Sequence, residues 1–138
     1  MKEALQTIEK YEQFVYTLRE RHPEINASTL IVVHRGPHHC VLQGSIEFEQ
    51  NISLLIYERI DFLDCQIAYY SYEARQGDAP LYWYDPQPHP DDPTLAENHP
   101  HHKHVHPNIK HNRIPAPKMS FEHPNLTFLV DEIVNDLL

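Results

Sequence analysis

The chain has very little glycine, with Gly36, Gly44 and Gly77 its only three in 138 residues. No glycine-rich phosphate cradle can be built from them. Long apolar runs are missing as well, and nothing approaches the roughly 18 consecutive apolar residues that a membrane-spanning helix needs. The opening MKEALQTIEKYEQF is charged through its first turn and carries no secretory apolar core, so neither a signal peptide nor a membrane is expected, and the location expected is cytoplasmic. Only two cysteines occur, Cys40 and Cys65, both in apolar strand-like sequence. In a reducing compartment they read as buried free thiols. Without a secretory route, the sequons at Asn26, Asn51 and Asn125 carry no meaning.

Basic residues are scarce, 11 Lys and Arg against 20 Asp and Glu, for a net charge of −9. That balance argues against a general nucleic-acid binder, because affinity for phosphate comes chiefly from cations that displace counterions. The average hides an asymmetry, however. From Gly44 to Asn98 eleven acids face two basic residues, Arg59 and Arg75, whereas from His99 to Ser120 there are four basic residues, no acids and six histidines. The C-terminal third is therefore locally cationic, more so as pH falls through the imidazole range.

Length places the chain near one domain, 1–138, with every motif in one fold. Residues 1–22 predict an amphipathic helix, since Leu5, Ile8, Tyr11, Phe14, Val15 and Leu18 recur at spacings of three and four, and Pro23 ends it. Five strand-like runs follow between residues 28 and 85: Thr29–His34, His39–Glu49 with a bulge at Gly44, Ile52–Phe62, Cys65–Arg75 and Pro80–Asp85. Gln76-Gly77-Asp78-Ala79 is the clearest hairpin turn. The gaps are too short for crossover helices, so the expected fold is α+β: an N-terminal helix, an antiparallel five-stranded meander, an ordered Pro/His-rich segment over 86–122, and a C-terminal helix over 125–138 with Asn125 as its cap.

Between His99 and His106 five of eight residues are histidine, a density that packing does not require. In extended conformation, His102, His104 and His106 share one face, with His101 and Lys103 on the other. Such imidazoles suit two jobs. They can act as general base and acid, with Lys103 or His101 stabilising developing charge. They can also hold a divalent metal such as zinc, in a set drawn from His89, His102, His104, His106 and Asp85, with Glu58 as a further carboxylate. The spacing matches no fixed metal template, and a solvated, weakly metal-binding loop is the bland alternative. Trp83-Tyr84-Asp85 and Pro88-His89 close the fifth strand, where a carboxylate can orient an imidazole. Tyr72 faces the same way as Tyr70, and Glu58 lies between Ile56 and Ile60 where burial would demand a partner.

The order Glu58 on a central strand, Tyr70-Ser71-Tyr72, an aromatic-Tyr84-Asp85 triplet, Pro88-His89 and Pro100-His101-His102-Lys103-His104 ahead of a terminal helix resembles the TumE-like proteins. These are prokaryotic toxins of type II toxin-antitoxin pairs. The resemblance runs roughly from Gly44 to Leu138 and departs at Trp83 and Pro86, where the family usually has Arg and Asn. It implies a cytosolic toxin neutralised by a cognate helix-turn-helix antitoxin, and supplies no mechanism. The leading expectation is a metal-independent ribonuclease with His102 and His104 as acid-base pair, Lys103 or His101 as charge stabiliser, and Tyr84, Asp85, His89, Tyr72 and Glu58 around them. A metal-dependent nuclease or hydrolase is the second, and a non-enzymatic module whose acidic sheet docks a basic partner the third. RNA is the expected substrate, and the sequence does not decide between a monomer and a homodimer.

Overall fold

The computed structural model describes residues 2–138. It is an α+β arrangement in which an eight-stranded antiparallel sheet carries helices at both chain ends. Strands β1 (Ala27–Ser28), β2 (Ile31–His34), β3 (His39–Glu47), β4 (Ile52–Asp61), β5 (Gln66–Gln76), β6 (Ala79–Asp85), β7 (His102–His104) and β8 (Arg113–Pro115) are ordered β1-β3-β4-β5-β6-β7-β8, with β2 also paired to β3. The five expected strands are all present. The three extra ones are two or three residues long, too short to leave a periodic trace, and two of them, β7 and β8, lie within the Pro/His-rich segment.

The first expected helix is broken into a 3₁₀ turn at Lys2–Leu5 and two helices, α1 (Ile8–Tyr16) and α2 (Leu18–Arg21). Thr7 caps α1 by accepting from the Lys10 amide, and Thr17 stops it, its hydroxyl donating to the Gln13 carbonyl at 2.6 Å. The apolar stripe survives the break, with Leu5, Ile8, Tyr11, Phe14, Val15 and Leu18 all buried. Helix α3 (Leu126–Asp136) buries Leu126, Leu129, Val130 and Ile133. Asn125 occupies its N-cap position as expected, but its side chain makes no capping hydrogen bond. Its amide donates to the Tyr72 hydroxyl and the Ser120 carbonyl, both at 3.0 Å, because a buried amide must satisfy its donors wherever partners exist.

The helices of both chain ends cover one sheet face, that of Cys40, Leu42, Ile46, Leu54, Ile56, Glu58, Tyr70, Tyr72 and Tyr84, where they share one apolar core. The opposite face of β3–β5 keeps its side chains half-exposed or exposed. The turn Gly77-Asp78 joins β5 to β6 as expected, with Gln76 opposite Ala79. Cys40 is a buried free thiol, but Cys65 sits in the β4–β5 turn at φ 54, half-buried, rather than in a strand. Gly44 is not a bulge: the β3–β4 register runs through it unbroken, and the shifts fall at Arg59/Ile60 and Ala74/Arg75. Glycine is required there because its φ is +137 and a Cβ would stand 2.6 Å from the Thr29 carbonyl oxygen. Gly44→Ala should accordingly cost about 2–3 kcal/mol in urea denaturation, and an unchanged midpoint would show that the Thr29 strand end moves aside freely.

Candidate metal centre

Strand β7 pairs with β6 so that Trp83 faces His104, Tyr84 faces Lys103 and Asp85 faces His102. Alternation along these two short strands then sorts the cluster onto opposite sides of the sheet. His102, His104 and Asp85 point to one side. The Asp85 carboxylate reaches His102 Nε2 and His104 Nε2, each at 3.1 Å, and the two Nε2 atoms stand 3.2 Å apart. Both rings are buried and Asp85 is largely so. The ring of Trp83 stacks on His104 with centroids 4.3 Å apart, and the edge of His89 meets His102 at 5.0 Å.

The outer nitrogen of each ring fixes its tautomer. His102 Nδ1 lies 3.1 Å from the Pro100 carbonyl and His104 Nδ1 lies 2.9 Å from the Ile109 carbonyl. A carbonyl only accepts, so both Nδ1 atoms carry protons and donate. The neutral rings therefore turn bare Nε2 lone pairs toward each other and toward a carboxylate. With both rings neutral, four acceptor atoms converge with no donor among them, and without a cation a proton on His102 Nε2 makes the bridge to Asp85. Among the described residues, only Asp85, His102 and His104 bring three such ligand atoms within 4.8 Å of one another. Ligating imidazoles held by a carbonyl at the far nitrogen are the usual arrangement around a bound divalent ion, and an N,N,O set suits zinc and its neighbours. The residues fit such an ion.

Electrostatics agree with a charge-hungry site. Burial alone would raise Asp85, but hydrogen bonds from His102 and the Gln87 amide, with the two imidazoles nearby, hold it at about 2. Burial works against a charge on His102, and the bonds to Asp85 and the Pro100 carbonyl outweigh it, leaving the ring above its ordinary value. At His104 burial wins and the ring is shifted down.

The remaining predicted residues lie elsewhere. Lys103 points to the helical side, where its ammonium pairs with Glu132 Oε2 at 3.0 Å and lies 4.1 Å from the Tyr82 ring centroid. The Tyr84 hydroxyl donates to the same Glu132 carboxylate, at 2.8 Å to Oε2. His101 is buried on that side too, its Nδ1 accepting from the Tyr70 hydroxyl at 2.5 Å, and burial pushes it down to about 4, so the ring is neutral. Glu58 and Tyr72 are in the core: Tyr11 and Tyr72 each donate to one Glu58 oxygen, and Asn125 donates to the Tyr72 hydroxyl. His106 leaves the row altogether, its Nε2 donating to the Pro80 carbonyl at 3.0 Å. His89 borders the three ligands without joining them. Thus Asp85, His102 and His104 come together with His89 at their rim, while Lys103, Tyr84, His101, Tyr72, Glu58 and His106 do not.

Two neighbours were not foreseen as site residues. Arg113 on β8 is paired across from His104, and its buried Nε has no partner. Glu132, which anchors Lys103, lies on α3. Neither could be found from spacing, since both meet the cluster only through the pairing of β7.

The fold and these side chains define a small α+β protein with a two-histidine, one-carboxylate cluster at one end of an open antiparallel sheet. The chain belongs to the TumE toxin family, whose model, described as Toxin TumE, matches residues 14–137 and so begins well before Gly44. No curated protein and no solved structure matches it. Membership indicates a toxin of a toxin-antitoxin system and implies a cognate antitoxin. Among the described residues no helix is long and apolar enough to cross a membrane.

Proposed function

We propose that this toxin is a metal-dependent hydrolase of RNA phosphodiester bonds, with Asp85, His102 and His104 as the ligand set. One observation carries the reading: two imidazole Nε2 atoms, each with its Nδ1 turned to a carbonyl, and both oxygens of a carboxylate meet in a buried pocket where only a cation, or a proton in its place, holds them together. A carboxylate and two facing imidazole lone pairs in a desolvated site are held together by a cation. A divalent ion there supplies Lewis-acid activation of water and of a phosphoryl oxygen. The residues around it do the rest. Pro100 and Ile109 carbonyls fix the imidazole tautomers, Trp83 and His89 wall off the rings, and Arg113 offers a cation beside the cluster.

The metal-independent alternative asks one imidazole to take a proton from the ribose hydroxyl and the other to give one to the leaving oxygen. That requires rings on either side of the phosphate. With their reactive nitrogens 3.2 Å apart, His102 and His104 leave no room for one between them. In this reading Lys103, Tyr84 and Glu132 brace the back of β7, and Glu58, Tyr72 and His101 support it from the core. The toxin works in the cytoplasm, where a helix-turn-helix antitoxin encoded beside it silences it.

The test is metal analysis of protein purified without a histidine tag, together with growth on induction. One equivalent of a divalent transition metal and growth arrest are expected from the native chain, and His102→Ala with His104→Ala should lose both while keeping the native circular dichroism. Arrest by a metal-free double mutant would remove the reading.

A further inference from the structure

The face of the sheet that bears Asp85, His102 and His104 continues across β5, β4 and β3 without a helix over it. Its half-buried aromatic side chains are Tyr57, Tyr69 and Trp83. Tyr57 and Tyr69 meet edge to face at 6.3 Å, and the Arg59 guanidinium lies over the Tyr69 ring at 5.1 Å. Arg59 also lines a cleft of about 270 Å³ with Arg35, His39, Val41 and Ala68, and no carboxylate lines it. Among the described residues neither Arg35 nor Arg59 makes an ion pair. Of the acids of this face, Glu73 is paired with Arg75 at 2.9 Å and Asp61 has His39 beside it at 3.6 Å, while Glu47 stands opposite Ser53 at the end of β3 away from Arg59.

Register ties this surface to the cluster. Tyr57 is opposite Ser71, and because Tyr72 is opposite Tyr84, the same row runs on to Asp85 and then His102. Two strand spacings separate Tyr57 from Asp85, roughly 10 Å, with Arg59 and Tyr69 about 7 Å farther along the strands. A short oligonucleotide covers that span.

We propose that this helix-free face is the binding track for single-stranded RNA, with Tyr57, Tyr69 and Trp83 as stacking surfaces and Arg35, Arg59 and Arg113 as phosphate contacts. The inference rests on the hydrolase reading and supplies its substrate class. Unpaired bases stack on aromatic rings at sheet surfaces, whereas a duplex keeps its bases inside, so the track selects single strands. Unpaired arginines beside those rings complement a phosphate backbone, and of the acids near the track Asp92, which shares a cleft with Arg113, accepts from the amide and hydroxyl of Thr94. A protein partner would call for a continuous apolar patch, but here Tyr57 and Leu55 alternate with Ser53, Ser71, Gln43 and Arg59.

The experiment is fluorescence anisotropy of a labelled fifteen-nucleotide oligouridine with the full chain in EDTA, which holds cleavage off. Binding that weakens with salt is expected, and Tyr69→Ala and Arg59→Ala, both on the surface, should each weaken it about tenfold. A duplex of equal length should compete poorly, and zinc titrations of both variants should match the native chain. No oligouridine binding, or binding indifferent to both substitutions, would overturn the track. So would sedimentation in which Tyr69→Ala turns a native dimer into monomers, since the face would then be taken by a second copy. Oligouridine binding by a chain that takes up no metal supports the track and removes only the hydrolase reading.

Discussion

Asp85→Asn should abolish growth arrest and weaken zinc binding by more than about 100-fold while the fold persists. Asparagine keeps the shape of the side chain, so β6 and its pairing with β7 have no steric reason to change. It removes the one negative charge among the three ligands, and its amide nitrogen can donate to a single Nε2. The two imidazole lone pairs would then lean on an amide instead of competing for an ion. Losing a group that merely orients a ligand costs 10- to 100-fold in affinity, and losing a ligand costs more. Thermal unfolding offers a second readout. Zinc at one hundred times its dissociation constant stabilises a protein that binds it only when folded by about 2.7 kcal/mol. For a chain of this length that is roughly 8 °C. The native chain should show this shift and Asp85→Asn no more than about 1 °C of it. A shift of equal size in both proteins would place the ion elsewhere, and native toxicity in Asp85→Asn would detach the activity from the cluster.

How much of this could be read from the residues follows from what periodicity can and cannot carry. The helix stripe of Leu5, Ile8, Tyr11, Phe14, Val15 and Leu18 and the alternation of β3 to β6 persist over enough residues to announce themselves. Alternation also separated His102 and His104 from His101 and Lys103, and it holds in β7. It failed at His106 because β7 ends at His104, and no local pattern marks the end of a three-residue strand. The pairing of β7 with β6 rests on contacts seventeen to twenty-one residues apart, and spacing cannot report them. That pairing decides everything at the site. It puts Asp85 beside two imidazoles and sends Lys103 to Glu132, and the pairing of β7 with β8 then sets Arg113 against His104. The tautomers depend on the carbonyls of Pro100 and Ile109, and backbone groups leave no trace in side-chain motifs.

The core and the cluster are physically joined. Tyr72, bonded to Glu58, stacks on Tyr70 with centroids 4.8 Å apart, and Tyr70 holds His101, the residue before His102. Helix α1 enters through Tyr11 and the α3 end through Asn125, so one buried carboxylate gathers both chain ends and the strand that presents the ligands. Its cost is set by protonation. Burial raises Glu58 from 4.5 to about 7, and the two tyrosine hydroxyls only partly offset it.

A carboxyl that holds its proton more tightly when folded lends stability that is complete below the unfolded value and is lost as pH rises to the folded one. Between pH 4.5 and pH 8 the gap is worth roughly 3 kcal/mol against the native chain. Glu58→Gln keeps the volume and does not titrate. The stability difference, native minus Glu58→Gln, should therefore fall by roughly 3 kcal/mol across that range, most of it between pH 5 and 7. His101 pulls the other way, since a ring pushed down to about 4 costs stability as pH drops below its unfolded value, but both proteins share it and it cancels. Urea denaturation of the two proteins at matched pH values measures the difference. Curves that run parallel from pH 4.5 to 8 would mean that Glu58 keeps an ordinary carboxylate pKa, and that the tyrosines and not the proton hold the two chain ends on the sheet.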